Sequence, residues 1–385
     1  ERLPVMVTPR WVQTECQPVA IADVLYWLVE CLSVPDTKGR VLEIGGPLGD
    51  SRIELRDGRA RFLAVEPRKP ASTPDASYPY VLNTGRVRDH WHTMTRTGLS
   101  PRLSSHIFEP YVEIHPRDAQ KEGLEEDELV RVSSALASVH VRVRISEEQQ
   151  PGSLFVPMHW NDSYAGNSRI GSLVKAVTDP ISGQPESKHS VAALERLDTH
   201  WHGFILSRYD QLDFRYSTYW AKSRGNGLWR FEIAGVQQPD SWDERARDLL
   251  DVPGKEQVNW IEYFDSARNH YRAARFSGTR LESCLFIGPD KQLPPRDWLA
   301  ALFQKEQLTV AERASLLSGL PPANVEDSGR TICSCFSVGE KTILKAIREQ
   351  GLTTPEEIGD CLKAGTNCGS CIPDLKALLT SADSE

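Results

Sequence analysis

Four cysteines near the end of the sequence constrain this chain more than any other feature. Cys333 and Cys335 form a CxC pair, and after 32 further residues Cys368 and Cys371 form a CxxC pair. Two short-spaced pairs of thiols are typical of a metal centre, because closely spaced sulfur ligands can converge on one site. The spacing alone leaves three alternatives open: a [2Fe-2S] cluster, a structural zinc ion, and four unrelated reduced thiols.

Short helices are predicted beside both cysteine pairs. Ser337 and Glu340 have the spacing of a capping box, Thr354 and Glu357 begin a second helix, and Pro373 begins a third. Each pair is therefore expected just ahead of a helix N-terminus. The N–H groups and dipole of such a terminus favour the thiolate over the thiol.

The segment ICSCFSVGEKTILKAI…GLTTPEEIGDCLKAGTNCGSCIPDLKALL resembles the bacterioferritin-associated-ferredoxin-like [2Fe-2S] domain over its whole length. The resemblance favours a [2Fe-2S] cluster over zinc. It implies that the ligands are Cys333, Cys335, Cys368 and Cys371. Cys361 lies outside the pattern on the predicted middle helix, where we expect a packed small side chain.

Composition excludes several classes of protein. The chain has 385 residues, of which 39% are hydrophobic and 25% charged, as in globular proteins of two or three domains. A net charge of −8 gives no general attraction to nucleic acid or an anionic membrane, so neither is an expected partner. The remaining cysteines Cys16, Cys31 and Cys284 lack framework spacing, which predicts a cytoplasmic protein. Because the chain starts at Glu1 rather than Met, we expect a piece of a longer protein.

The middle of the chain contains strand patterns. Alternating apolar residues predict a closed barrel, with strands at Val112 to Ile114, Leu129 to Ser133 and Val139 to Ile145 and a short helix at Pro116 to Lys121. Further along, six of the ten tryptophans fall between residues 200 and 325, where a hairpin turn is predicted at 223–227. Capping boxes at Ser241 and Thr309 predict helices in the same region.

A polar loop follows the predicted strand Tyr80 to Leu82. The strand leads into a glycine turn at Thr84 and Gly85, and then into a stretch rich in arginine, histidine and threonine. Guanidinium groups and hydroxyls are suited to binding phosphates. A solvated surface turn could have the same composition.

The strand order and the TGR motif resemble the molybdopterin-dinucleotide-binding domain of the dimethyl sulfoxide reductase superfamily. The segments TGRVRDHWHTMTRTG, FVPMHW and DPISGQPESKHS resemble assimilatory nitrate reductase catalytic subunits in particular, and the match runs from about residue 52 to the end. The implied fold is mixed α/β and multi-domain. Its expected parts are a closed six-stranded double-psi-type β-barrel (49–199), an α+β Trp-rich connecting region (200–325) and a small helical [2Fe-2S] domain (326–385).

The resemblance implies contacts to molybdopterin guanine dinucleotide at matching positions. A surface lysine and a core tryptophan remain the alternatives for two of them, Lys188 and Trp160. The expected contact residues are Thr84, Gly85, Arg86, His90, Trp91, His92, Thr93, His159, Trp160, Asn161 and Lys188. No catalytic residue is expected, since the family's N-terminal [4Fe-4S] site and molybdenum-holding central domains are missing here, and the chain alone should be inactive.

For the intact enzyme the resemblance implies reduction of nitrate to nitrite at a molybdenum bis-MGD cofactor. The [2Fe-2S] domain would accept electrons from a flavoprotein or ferredoxin donor, and the missing N-terminal catalytic domains would be partners. The alternative is a stand-alone [2Fe-2S] electron-transfer protein without molybdenum catalysis. Residues 1–48 resemble instead the C-terminal part of an atypical short-chain dehydrogenase-like NAD(P)-binding protein; because the first glycine is Gly39, we expect a non-functional fragment that binds no nucleotide.

Overall fold

The computed structural model describes residues 7–9, 42–44, 69–179, 183–250, 258–322 and 328–382. Two short strands, β1 (Val7–Pro9) and β2 (Leu42–Ile44), pair in parallel. The rest of the expected NAD(P)-binding fragment at residues 1–48 lies outside the described residues. Contacts divide the chain into two compact units, one formed by 1–73 with 174–189 and the other by 74–173 with 190–385. None of the helices in the described ranges combines the length and apolar character of a membrane span.

The second unit begins with a closed six-stranded barrel. Its neighbouring strands follow the order β3-β7-β4-β6-β5-β8, in which β3 pairs parallel with β7 and β4 pairs parallel with β6. This arrangement confirms the predicted closed barrel of six strands. The elements are β3 (Tyr80–Gly85), β4 (Tyr111–Ile114), helix α1 (Pro116–Glu122), β5 (Leu129–Ser133), β6 (Ser138–Ile145), β7 (Ser153–Pro157) and β8 (Ser190–Arg196).

Period-two valines explain the barrel interior. Val139, Val141 and Val143 on β6 are all buried in one apolar cluster, as their alternation predicts. The sequence prediction was wrong about where β3 ends: the strand continues through Thr84 and Gly85, which pair with Val156 and Pro157 of β7. Backbone pairing with β7 therefore prevails over the turn signal of the glycine.

A six-stranded antiparallel sheet follows the barrel, in the order β10-β11-β9-β14-β13-β12. The predicted hairpin is confirmed, with a turn shortened to residues 226–227, where Gly227 has a φ of 68°. The strands are β9 (Trp201–Ser207), β10 (Tyr219–Gly225), β11 (Leu228–Gly235), β12 (Asn259–Asp265), β13 (His270–Ser277) and β14 (Arg280–Gly288).

Three helices accompany this sheet: α2 (Trp242–Leu250), α3 (Arg296–Leu302) and α4 (Val310–Ser315). The capping box of Thr309 and Glu312 at the start of α4 is confirmed. At the start of α2, one of the two hydrogen bonds of the predicted capping box is formed: the Glu244 N–H donates to Ser241 Oγ at 3.4 Å. Both sheet and helices match the expected α+β composition of this region.

The last part of the unit is a small helical domain. It contains the two-stranded sheet of β15 (Thr331–Cys333) and β16 (Val338–Gly339), followed by helices α5 (Glu340–Gln350), α6 (Pro355–Leu362) and α7 (Ile372–Ala382). The capping box of Thr354 and Glu357 is confirmed. The box predicted from Ser337 is wrong, because Gly339 is the N-cap of α5 and Ser337 instead has a left-handed φ of 54° in the preceding turn.

Candidate functional site

The parallel pairing of β3 and β7 brings two polar segments to one end of the barrel. Residues 86–93 leave β3 there, and residues 158–161 leave β7 at the same end. Gly85 allows this close approach, because a Cβ at its position would lie 2.8 Å from Phe155 Cε2. We call residues 86–93 the motif loop.

His159 holds the backbone of the motif loop in place. Its Nε2 accepts a hydrogen bond from the Val87 N–H at 2.8 Å, and its Nδ1 donates to the His92 carbonyl oxygen at 2.6 Å. Burial lowers the pKa of His159, so the ring is neutral with its proton on Nδ1. Both ring nitrogens are therefore engaged within the chain, and the geometry gives His159 a positioning role toward the loop.

The motif loop, through His90 and Thr93, also contacts the segment that leaves β7. His90 is buried, and this burial, together with the neighbouring His159, lowers its pKa to about 4. Trp160 packs edge-on against His90 and lies within the apolar core, at 2% exposure. Asn161 donates from Nδ2 to the Thr93 carbonyl oxygen at 2.8 Å. These side chains hold the shape of the motif loop.

The surface of the motif loop is formed by other predicted residues. Arg86, Trp91 and Thr93 are exposed, with Trp91 at 54%. His92 has a left-handed φ of 46°, which turns the chain beside them. A guanidinium, an indole face and a hydroxyl thus share one accessible loop, a combination that can bind a phosphate and a flat ring.

Two predicted positions differ in setting. Thr84 is buried at the end of β3. Lys188 is exposed in a turn that precedes β8, within the compact unit formed by 1–73 and 174–189. Its cofactor contact stays a prediction.

The four cysteines of the small domain form two pairs. Cys335 Sγ and Cys368 Sγ are 3.1 Å apart, and the Cys371 thiol contacts that of Cys333. Each pair takes one thiol from the CxC segment and one from the CxxC segment. Two pairs of sulfur atoms contributed in this way fit a cluster of two irons, each of which takes two protein ligands. Within the described ranges no three His, Cys, Asp or Glu side chains gather as they would around a single metal ion.

The two thiols of the CxxC segment differ in acidity. The Ser370 hydroxyl and backbone N–H lower the pKa of Cys368 to about 6, and Cys335 and Arg88 act in the same direction. Burial, with neighbouring Cys333, raises the pKa of Cys371 to about 11. Cys368 is therefore a thiolate at neutral pH, the form that binds iron, whereas Cys371 must lose its proton on binding.

The prediction that cysteines precede a helix N-terminus holds for the CxxC segment. Cys371 immediately precedes α7, and its carbonyl oxygen accepts from the Leu375 N–H at 2.9 Å. Cys333 instead belongs to β15, and β16 separates the CxC segment from α5. Cys361 is exposed on α6 and bonds Gln350 Oε1, so the expectation of a packed side chain was wrong.

Sequence reasoning missed one residue that joins the two sites. Arg88, in the motif loop, donates to the Cys368 carbonyl oxygen and to Cys368 Sγ. The two residues are 280 positions apart. The only local signal was a second arginine two positions after Arg86.

Comparisons with known families agree with both sites. Residues 80–192 match the family described as "Molydopterin dinucleotide binding domain", and residues 331–381 match the "BFD-like [2Fe-2S] binding domain". The chain therefore carries a molybdopterin dinucleotide-binding domain and a [2Fe-2S] domain. The first match covers the motif loop and the barrel as far as Ala192 in β8, and the second covers all four paired cysteines.

Curated relatives of this chain include nitrate reductases. It is 42% identical over 326 residues to "Nitrate reductase" of Klebsiella oxytoca, a match that covers 85% of this chain and 36% of that protein. It is 37% identical over 123 residues to the "Assimilatory nitrate reductase catalytic subunit" of Bacillus subtilis (32% of this chain, 17% of that protein). It is 34% identical over 141 residues to the "F420-dependent formate dehydrogenase subunit alpha" of Methanocaldococcus jannaschii (37% and 20%). The chain thus spans about a third or less of the relatives it matches. The matches lend no support to the resemblance noted for residues 1–48.

Proposed function

We propose that this chain is the C-terminal, cofactor-binding and electron-transfer portion of a molybdenum-dependent assimilatory nitrate reductase. The observation that carries the proposal is the presence of both cofactor domains in one chain that is 42% identical over 326 residues to a nitrate reductase. In the complete enzyme, molybdenum bound by bis-MGD would supply the two-electron chemistry that converts nitrate to nitrite. Partners would be N-terminal catalytic domains and a flavoprotein or ferredoxin donor, in the cytoplasm.

The chain's own residues would position and tune these cofactors. Exposed Arg86 and Thr93 would bind the dinucleotide, while His159 and Asn161 hold the motif loop in shape through the bonds to Val87, His92 and Thr93. The four paired cysteines would hold the [2Fe-2S] cluster as an electron relay. The proposed domains are 49–199, 200–325 and 326–385.

Complementation tests the proposal. The full chain would be co-produced with Klebsiella nitrate reductase that lacks its matching C-terminal region. We expect the complex to contain molybdenum and iron and to reduce nitrate with reduced viologen as donor. A folded, iron-containing chain that neither retains the dinucleotide nor restores nitrite formation would contradict the proposal and would favour the stand-alone electron-transfer protein.

Arg86→Ala should weaken dinucleotide retention. Loss of a charged hydrogen bond to phosphate costs about 1.5–3 kcal/mol, or roughly 10- to 150-fold in affinity. The measurement is molybdenum and released guanine nucleotide per complex. Arg117→Ala is the matched control, since Arg117 is an exposed arginine on α1. Equal cofactor retention in the two variants would show that Arg86 does not meet the phosphate.

A further inference from the structure

The strongest unassigned contact runs from the motif loop to a cluster cysteine. Arg88 Nη1 donates to the Cys368 carbonyl oxygen at 3.4 Å, and Nη2 donates to Cys368 Sγ at 3.8 Å. The contact joins the barrel to the small domain within one compact unit. A guanidinium on a prospective iron ligand is a functional arrangement, because charge and hydrogen bonds at ligand sulfur set the potential of a cluster.

The Arg88 side chain is held in place by its neighbours. Asp89 Oδ1 accepts from Arg88 Nη2 at 2.7 Å and from Nε at 3.1 Å. The other carboxylate oxygen, Oδ2, lies 2.8 Å from His106 Nδ1, and the Asp89 side chain is only 13% exposed. The ion pair with Asp89 therefore orients the guanidinium toward the sulfur, although the Arg88 side chain is 47% exposed.

The backbone on each side of Arg88 connects it to the dinucleotide end of the barrel. Val87 is tied to buried His159 through its N–H, and Arg86 on the other side is the exposed arginine of the motif loop. One short segment thus carries a predicted phosphate contact and a contact to the cluster sulfur.

We propose that Arg88 is a positioning residue that raises the reduction potential of the [2Fe-2S] centre from the dinucleotide-binding loop. A reduced cluster carries one more negative charge than an oxidised one, so a cationic N–H donor at Cys368 Sγ stabilises the reduced form. Screening by solvent limits the effect, since the side chain is half exposed. The inference rests on the proposed function only in taking the four cysteines as cluster ligands.

The test is a redox titration of the cluster in the full chain, in which the electron paramagnetic resonance signal of the reduced form is measured at each potential. In Arg88→Gln, which keeps polarity and removes the charge, the equilibrium constant for one-electron reduction should fall roughly threefold to tenfold. A tenfold fall corresponds to 59 mV for a one-electron couple. Arg117→Gln makes the same change of net charge on α1 and should titrate with the wild type.

A second variant keeps the test decisive if Arg88→Gln binds less iron. Arg88→Lys retains the charge but not the planar fork, so it should hold full iron and titrate at or slightly below the wild type. An Arg88→Gln protein with full iron and an unchanged potential overturns the proposal, as does an Arg88→Lys protein with full iron whose equilibrium constant for reduction falls tenfold or more, since the retained charge should preserve most of the effect.

Dinucleotide analysis of the complexes from the complementation experiment separates this inference from the proposed function. If the wild-type chain retains no dinucleotide while its potential still depends on Arg88, the nitrate reductase assignment fails and the tuning contact stands. If the dinucleotide is retained and the potential is insensitive to Arg88, the tuning contact fails and the assignment stands.

Discussion

Replacing Cys368 by serine is expected to abolish the [2Fe-2S] cluster and leave the barrel folded. Serine is a much poorer iron ligand than the thiolate, whose formation the Ser370 hydroxyl and backbone N–H favour. Iron should fall from about two per chain to near zero, with loss of the visible absorption of the cluster. Far-ultraviolet circular dichroism should retain the strand signal, because the barrel has its own apolar core.

Cys361→Ser is the matched control for this experiment. Cys361 is an exposed thiol of the same domain that lies outside both pairs. The variant should keep its iron, since its sulfur takes no part in the paired arrangement. Equal iron in Cys368→Ser and the wild type would refute the ligand assignment.

Glu232→Ala should destabilise the Trp-rich sheet by about 3–5 kcal/mol, the usual cost of breaking a buried ion pair from one side. Glu232 is 3% exposed on β11, and its carboxylate accepts from Arg296 Nη2 at 2.8 Å and from Arg230 Nε at 2.7 Å. Removal leaves two guanidinium groups, whose side chains are only 17% and 18% exposed, without this carboxylate. Urea unfolding followed by tryptophan fluorescence measures the change, because six of the ten tryptophans lie in this region.

An exposed pair provides the comparison. Glu195 on β8 bonds Arg131 at 2.8 Å, but its side chain is 65% exposed. Glu195→Ala should therefore cost no more than about 1 kcal/mol. Similar losses in the two alanine variants would show that burial does not set the strength of the Glu232 pair.

Acid should reduce the stabilising contribution of Glu232. Burial acts to raise its pKa, but Arg296 and Arg230 prevail and lower it from 4.5 to about 2. A carboxylate whose pKa is depressed by folding stabilises the fold above its unfolded value, and this stabilisation is lost as the pH falls from about 4.5 toward 2. The difference in unfolding free energy between the wild type and Glu232→Gln should therefore shrink between pH 6 and pH 3. A constant difference would contradict this titration.

Much of the fold could be predicted because local patterns and tertiary structure agree there. The period-two valines of β6 face the barrel interior, and the boxes at Thr309 and Thr354 begin helices. The signal failed where a longer-range pairing competed with it. Gly85 indicated a turn, yet parallel pairing with β7 extends the strand through it.

The site was harder to predict, because its geometry depends on contacts between distant segments. The motif predicted His159 as a cofactor contact, but only the structure shows that both of its nitrogens bind the loop backbone. Trp160 likewise lies in the core, an alternative that the sequence left open. Arg88 and Cys368 are 280 positions apart, and no repeating pattern in the sequence indicates that their side chains are in contact.

The cross-wise pairing of thiols makes the iron centre a removable chain cross-link. Because each pair joins the β15 turn to the start of α7, bound metal closes the intervening helices into a ring and lowers the entropy of the unfolded chain. A domain of about fifty residues gains a large share of its stability from such a staple. Metal starvation should therefore expose this end of the protein to proteases first, so that its cellular lifetime follows the supply of iron.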